Sequence, residues 1–146
     1  MDVMEDSDLR RRLREAGLRV TPARVAVLRL LAERGTPMTH SEVVERLSDR
    51  DWDRTTLFRN LADLSEAGLV RRTDLGDRLW RYEHCGRDEA SLGRLPYFSC
   101  TACGSISRIA GVTLQLDERG ALPASLRTGR YDIQLRGRCD SCDQAA

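Results

Sequence analysis

The chain has 146 residues, 40% hydrophobic and 32% charged, which suits one ordinary domain or two small ones and is too short for a barrel enzyme. No stretch approaches the roughly 20 apolar residues of a membrane span, and Met1–Asp6 lacks a basic start followed by an apolar run, so a soluble, cytoplasmic protein is expected. Net charge is +1 with every one of the 24 basic residues arginine; residues 9–83 hold 16 Arg against 12 Asp and Glu, a weak electrostatic footprint for nucleic acid.

The first half reads as helices with marked ends. Leu9, Leu13 and Leu18 sit among Arg10, Arg11, Arg12 and Arg14, and Gly17 suits the C-terminal cap of a short helix. Thr21-Pro22 supplies an N-cap and a proline at the first helical position, and Val25, Leu28 and Leu31 form an apolar stripe that stops at Gly35. Thr39-His40-Ser41-Glu42 is a capping box opening a third helix with Val43, Val44 and Leu47 inward. Asp53 can cap a fourth, whose Leu57, Phe58, Leu61 and Leu64 share a face until Gly68.

Beyond Gly68 the period changes. Residues 69–73 and 78–82, joined by Asp74-Leu75-Gly76-Asp77, read as a β-hairpin. Helices followed by an arginine-bearing hairpin is the order of a winged helix-turn-helix, in which the fourth helix, carrying Thr55 to Asn60, enters the major groove and Asn60 is counted among the DNA-binding candidates. A four-helix bundle with an appended hairpin has the same order and stays open at this point.

Residues 84–95, with Gly86 and Gly93 among polar side chains, read as a hinge between a domain at 1–83 and another at 96–146. In the second, residues 97–99, 105–109, 112–116 and 131–136 alternate like strands, while 117–127 is a poor helix because of Gly120 and Pro123. So few large apolar side chains can scarcely support a domain, which needs a staple and a partner subunit. Two Cys-x-x-Cys pairs, Cys100/Cys103 and Cys139/Cys142, supply the staple. Four thiolates, each about 2.3 Å from one ion, close a tetrahedron and leave no open position, so one structural rather than catalytic zinc per chain is expected. Gly104 suits the tight turn around the metal.

At this point the sequence resembles the ferric uptake regulator family of bacterial transcription factors over roughly residues 9–142. The resemblance rests on Gly17-Leu18-Arg19-Val20-Thr21-Pro22-Ala23-Arg24, on Thr55 to Leu61, on Glu66-Ala67-Gly68-Leu69-Val70, on Arg81-Tyr82-Glu83, and on the two cysteine pairs with Gly104. It implies an α+β protein, with an N-terminal winged helix-turn-helix followed by a small α/β dimerisation domain with a four-cysteine zinc site. It also implies a homodimer on a palindromic operator, usually as a repressor. By position it implies that Thr55, Thr56, Phe58 and Arg59 read DNA, that Arg19 reaches toward the minor groove, and that Arg24 contacts phosphate. The wing arginines Arg71, Arg72 and Arg78 are equally well read as solvated charges. The family normally has tyrosine where this chain has Phe58, which keeps apolar contact with a thymine methyl and loses a hydrogen bond.

The family's sensor histidines fall here at Leu95, Tyr97, near Pro37 and near Tyr131, and only Glu83 survives. Leucine cannot ligate a metal, so the usual iron or peroxide site is not expected. A sparse set, Glu83, His84, Cys85 and His40, offers a hinge zinc site or a thiol-redox switch as an alternative. The simpler reading is a surface His40 and an ordinary Cys85 thiol. A zinc-ribbon adaptor that binds protein and not DNA is the reading of another class. An enzyme is not expected, since no Ser/His/Asp set, phosphate-cradling loop or open metal site is present in the sequence.

Overall fold

A computed structural model describes residues 4–85, 96–109, 111–117, 119–128 and 131–144, and the chain divides into two compact units, Met1–Arg87 and Asp88–Ala146.

The first unit runs α1 (Asp6–Glu15), α2 (Pro22–Arg34), β1 (Met38–Thr39), α3 (His40–Arg46), α4 (Arg54–Glu66), β2 (Val70–Asp74) and β3 (Trp80–His84). Each helix starts and stops for a local chemical reason. The Thr21 hydroxyl accepts the Arg24 N–H at 3.2 Å, with Pro22 at the first helical position. The Thr39/Glu42 capping box is closed in both directions, at 2.8 and 3.2 Å. Asp53 accepts the Thr56 N–H at 2.6 Å, and this bond holds the Asp53 carboxyl below the usual carboxylate range. At the far ends, Gly17 and Gly68 take φ of +78° and +79°. The next residues, Leu18 and Leu69, donate back to the carbonyls of Leu13 and Leu64 at 2.9 and 3.0 Å, which is Schellman geometry.

Leu9 and Leu13 of α1 pack with Val27, Leu28 and Leu31 of α2, Val43 of α3, Leu57, Leu61 and Leu64 of α4, and Val70 and Tyr82 of the hairpin in one core. The bundle-with-hairpin alternative fails here, because the hairpin contributes core residues and α3 and α4 flank the turn of a helix-turn-helix. β1 is an element that the sequence reading missed. Met38 and Thr39 pair antiparallel with Tyr82 and Arg81, completing a sheet of order β1-β3-β2. The hairpin also extends further than expected. His84 pairs with Val70, and the Cys85 N–H donates to Leu69 at 3.0 Å, so residues 84 and 85 belong to the wing and not to the hinge. The remainder of the expected hinge, 86–95, lies outside the described residues.

The second unit holds β4 (Tyr97–Cys100), β5 (Ile106–Arg108), α5 (Ala124–Arg127), β6 (Gln134–Gly137) and α6 (Asp140–Gln144). β4 pairs antiparallel with β5 and parallel with β6, so β4 is central. Two expectations are corrected here. Residues 112–116 pair with no strand among the described residues, and Val112 and Leu114 are exposed: alternation prepares a face but does not supply a partner edge. The strand expected at 131–136 begins at Gln134 and ends at Gly137. Pro123 starts α5, as a residue that cannot continue a preceding helix but can open one. No helix among the described residues is long and apolar enough to cross a membrane.

Candidate nucleic-acid interface and metal centre

α4 turns one stripe inward and another outward. Leu57, Asn60, Leu61 and Leu64 are buried, while Thr55, Thr56, Phe58 and Arg59 are exposed, Phe58 at 51%. The four residues carried by the resemblance thus share one solvent-facing surface at the start of a capped helix. Asn60 does not join them. It lies three residues after Leu57 on the core face, 7% exposed, and its Nδ2 finds no hydrogen-bond partner among the described residues, so it is corrected from reader to interior residue.

The two upstream arginines also part company. Arg19 is exposed. Arg24 has 18% side-chain exposure, donates to the Arg19 carbonyl at 2.8 Å, and pairs with Asp63 of α4 at 2.8 Å. Arg24 thus braces α2 to α4 through one N–H of each terminal nitrogen, and its side chain is mostly buried, which leaves less of it to face a phosphate than Arg19 offers. In the wing, Arg72 lies over the Trp80 ring at 4.0 Å, Arg78 is exposed at φ +64°, and Arg71 is half-buried opposite Glu83.

The metal site follows from the sheet. The parallel register sets Cys100, last in β4, beside Gly137, last in β6. The loop after β4 and the start of α6 therefore leave the same edge side by side. Gly137 permits the approach, since a Cβ there would sit 3.3 Å from the Phe98 ring. Thr101 N–H donates to the Gly137 carbonyl at 2.8 Å, and Gly104, at φ +74°, turns the chain back toward Cys100. As a result the sulfurs of Cys100, Cys103, Cys139 and Cys142 all lie within 4.8 Å of one another.

The donor set fits a zinc ion. Cys100 Sγ accepts the backbone N–H groups of Cys139, Ala102 and Cys103 at 3.3, 3.4 and 3.4 Å, and those of Cys103 and Cys139 chiefly draw its thiol down to about 6. The Ser105 hydroxyl, 3.2 Å from Cys103 Sγ, lowers that thiol as well. Cys142 is pushed up to about 12 by the sulfurs around it, Cys139 first. Four thiolates so close repel one another, and a dication is what lets all four lose their protons together. When bound, zinc supplies a cross-link between two strand ends and no reactive position.

The sparse alternative set is not gathered. Among the described residues, the four cysteines are the one group of three or more potential metal ligands close enough to share an ion. His40 Nε2–H donates to the Arg54 carbonyl at 2.9 Å. The His84 ring nitrogen lies 2.6 Å from Arg12, and burial with that guanidinium pushes His84 down to about 4. Glu83 and Cys85 are buried. Of the positions at which the resemblance implies sensor histidines, Tyr97 is buried under Arg108, which donates to its hydroxyl at 2.6 Å; Leu95 lies outside the described residues.

Comparison with known proteins agrees with this layout. The model describing the ferric uptake regulator family matches residues 15–121. The peroxide-responsive repressor PerR of Staphylococcus aureus (strain Mu50) is 31% identical over 134 residues, spanning 89% of this chain and 86% of that one. The Vibrio cholerae ferric uptake regulator superposes with a TM-score of 0.65 at 19% identity, covering 89% of this chain and 98% of the other. A zinc uptake regulator in complex with zinc and DNA superposes at 0.60 and 17% identity, covering 96% and 93%.

Proposed function

The chain belongs to the ferric uptake regulator family, whose members regulate transcription and are not enzymes, and from that premise we propose that it is a homodimeric repressor that reads a palindromic operator in cytoplasmic DNA. Two copies of α4 enter successive major grooves. Arg59 takes a guanine edge or a phosphate, Thr55 and Thr56 meet phosphates or thymine methyls, Phe58 lies against a thymine methyl, and Arg19 reaches the flanking backbone. The observation that carries this reading is the segregation of α4: every one of those α4 side chains is exposed, while its neighbours at 57, 60, 61 and 64 are buried.

One structural zinc per chain, held by Cys100, Cys103, Cys139 and Cys142, stabilises the second unit, which we read as the dimerisation domain. The metal-sensing site is lost or rewired. Sensing through His40, Glu83 and Cys85 is the weaker reading, because the described residues gather no three of these donors close enough to share an ion, His84 is engaged with Arg12 and Cys85 is buried. A zinc-ribbon adaptor without DNA binding leaves the exposed reader surface without a purpose.

The test is binding to duplex from the protein's own promoter across a salt series. Phosphate neutralisation gives affinity that falls linearly on a log–log plot. Arg59→Ala should cost about 1–3 kcal/mol if it reads a base edge. Salt-independent binding, or none at low salt, overturns the proposal.

A further inference from the structure

The exposed ring of Phe58 is not left to swing freely. The His40 ring meets it edge-on, with centroids 5.4 Å apart and planes 69° apart. His40 is itself tied down, because its Nε2–H donates to the Arg54 carbonyl at 2.9 Å. Only a protonated Nε2 can make that bond, so the carbonyl fixes which ring nitrogen carries the hydrogen. In an α-helix the Arg54 carbonyl also takes the N–H four residues on, at Phe58. One peptide oxygen of α4 thus anchors the histidine that abuts the side chain one turn later. His40 is the first residue of α3, set there by the Thr39 capping box, so the contact spans the two helices of the helix-turn-helix.

We propose that His40 is a positioning residue for sequence readout, holding the Phe58 ring in the orientation in which it packs on a thymine methyl in the major groove. This rests on the DNA-reading function above and assigns to His40 a role other than metal binding. A phenylalanine reader has no hydroxyl to fix its direction. An apolar ring half in water (51% exposed) has several rotamers available. A neighbouring ring on a short tether removes that freedom before DNA arrives, which is how preorganisation raises selectivity.

The experiment first selects binding duplexes from a random library with the zinc-loaded wild-type dimer, then replaces each thymine of the selected half-site with uracil, which removes only the methyl. At one position the wild type should lose about fourfold in affinity, the value of one buried methyl. Phe58→Ala should abolish that preference. His40→Ala and His40→Gln should bring the thymine-to-uracil ratio at that position close to one while the salt slope stays unchanged. Glutamine keeps a donor for Arg54, so it carries the test if the alanine variant melts early. A wild-type ratio in both His40→Ala and His40→Gln, or uracil tolerated everywhere by the wild type, overturns the inference and leaves the DNA-reading function standing. A selection that enriches no sequence overturns both.

Discussion

Arg12 of α1 and His84 at the end of β3, 72 residues apart in sequence, meet through a guanidinium nitrogen 2.6 Å from the imidazole Nε2, and the same arginine donates to the Cys85 carbonyl at 2.7 Å. A guanidinium is always a donor, so the ring must accept at Nε2 and stay neutral. Burial and Arg12 together push His84 down to about 4. Its ordinary value is about 6.5, so the unfolded chain binds more protons than the folded one between those limits. Stability is therefore full above about pH 6.5 and declines as pH falls toward 4. The ring is partly exposed, so solvent screening leaves about 1–2 kcal/mol of acid sensitivity. Urea unfolding at pH 7.5 and 5.0 should show a larger loss for the wild type than for His84→Gln. Equal losses in the two proteins would refute it.

Arg24 gives a prediction opposite to that of a phosphate contact. Removing it deletes a brace between α2 and α4 and leaves Asp63 without its partner, so Arg24→Ala should destabilise the first unit by about 1–2 kcal/mol. The salt slope of DNA binding should stay that of the wild type, whereas loss of a true phosphate contact lowers it by about one. Thermal melts and a salt titration on the same preparation separate the two roles.

What the sequence disclosed was local chemistry. Thr21-Pro22, the Thr39/Glu42 box, Asp53 and the glycines after α1 and α4 act within one turn of themselves, so their signals survive without knowledge of the fold. The cysteine pairs are legible for the same reason, since each pair shares one turn and only their meeting required β4 and β6 to run parallel. The remainder depends on partners far away in sequence. β1 is two residues long and exists because Tyr82 and Arg81 lie beside it. Residues 112–116 have the alternation of a strand but no paired edge among the described residues. The burial of Asn60 could have been read from its place beside Leu57 and Leu61 on a 3.6-residue period, had its position in the reader segment not drawn it outward. Nothing in the sequence brings His40 to Phe58.

Zinc removal should undo the second unit selectively. Among its described residues only Pro96, Tyr97 and Cys100 are buried, so the metal cross-link is expected to carry a large share of its stability. Cys103→Ser should bring the zinc content from about one per chain toward zero and weaken dimerisation, while the helical signal of α1 to α4 persists. Metal analysis with sedimentation reads both effects. A metal-free variant that remains a folded dimer at neutral pH would argue for a packing core in place of the ion.

The last prediction is that Fe²⁺ and Mn²⁺ leave operator affinity unchanged once the structural zinc is in place. A metal shifts a conformational balance only by the difference between its contacts in the two states. At the positions where the family resemblance implies sensor histidines this chain has Leu95, Tyr97 and residues near Pro37 and Tyr131. Tyr97 is committed to packing and to Arg108, and Pro37 is buried without a ligand atom in its side chain. Of the two histidines, His84 is occupied at Nε2 by Arg12, while His40 holds the Arg54 carbonyl through Nε2 only. Recruiting His84 would mean giving up a hydrogen bond worth about 1 kcal/mol, and His40, whose Nδ1 is not used in that bond, belongs to no group of three potential ligands close enough to share an ion among the described residues. Titration of operator binding with each ion should therefore move Kd by less than tenfold, a coupling below about 1.4 kcal/mol. A tenfold tightening by either ion would require a regulatory site. Repeating the titration with zinc on His40→Ala and Cys85→Ser would locate it: tightening lost in both variants would place it at the junction of α3 and the wing and make this chain a zinc sensor.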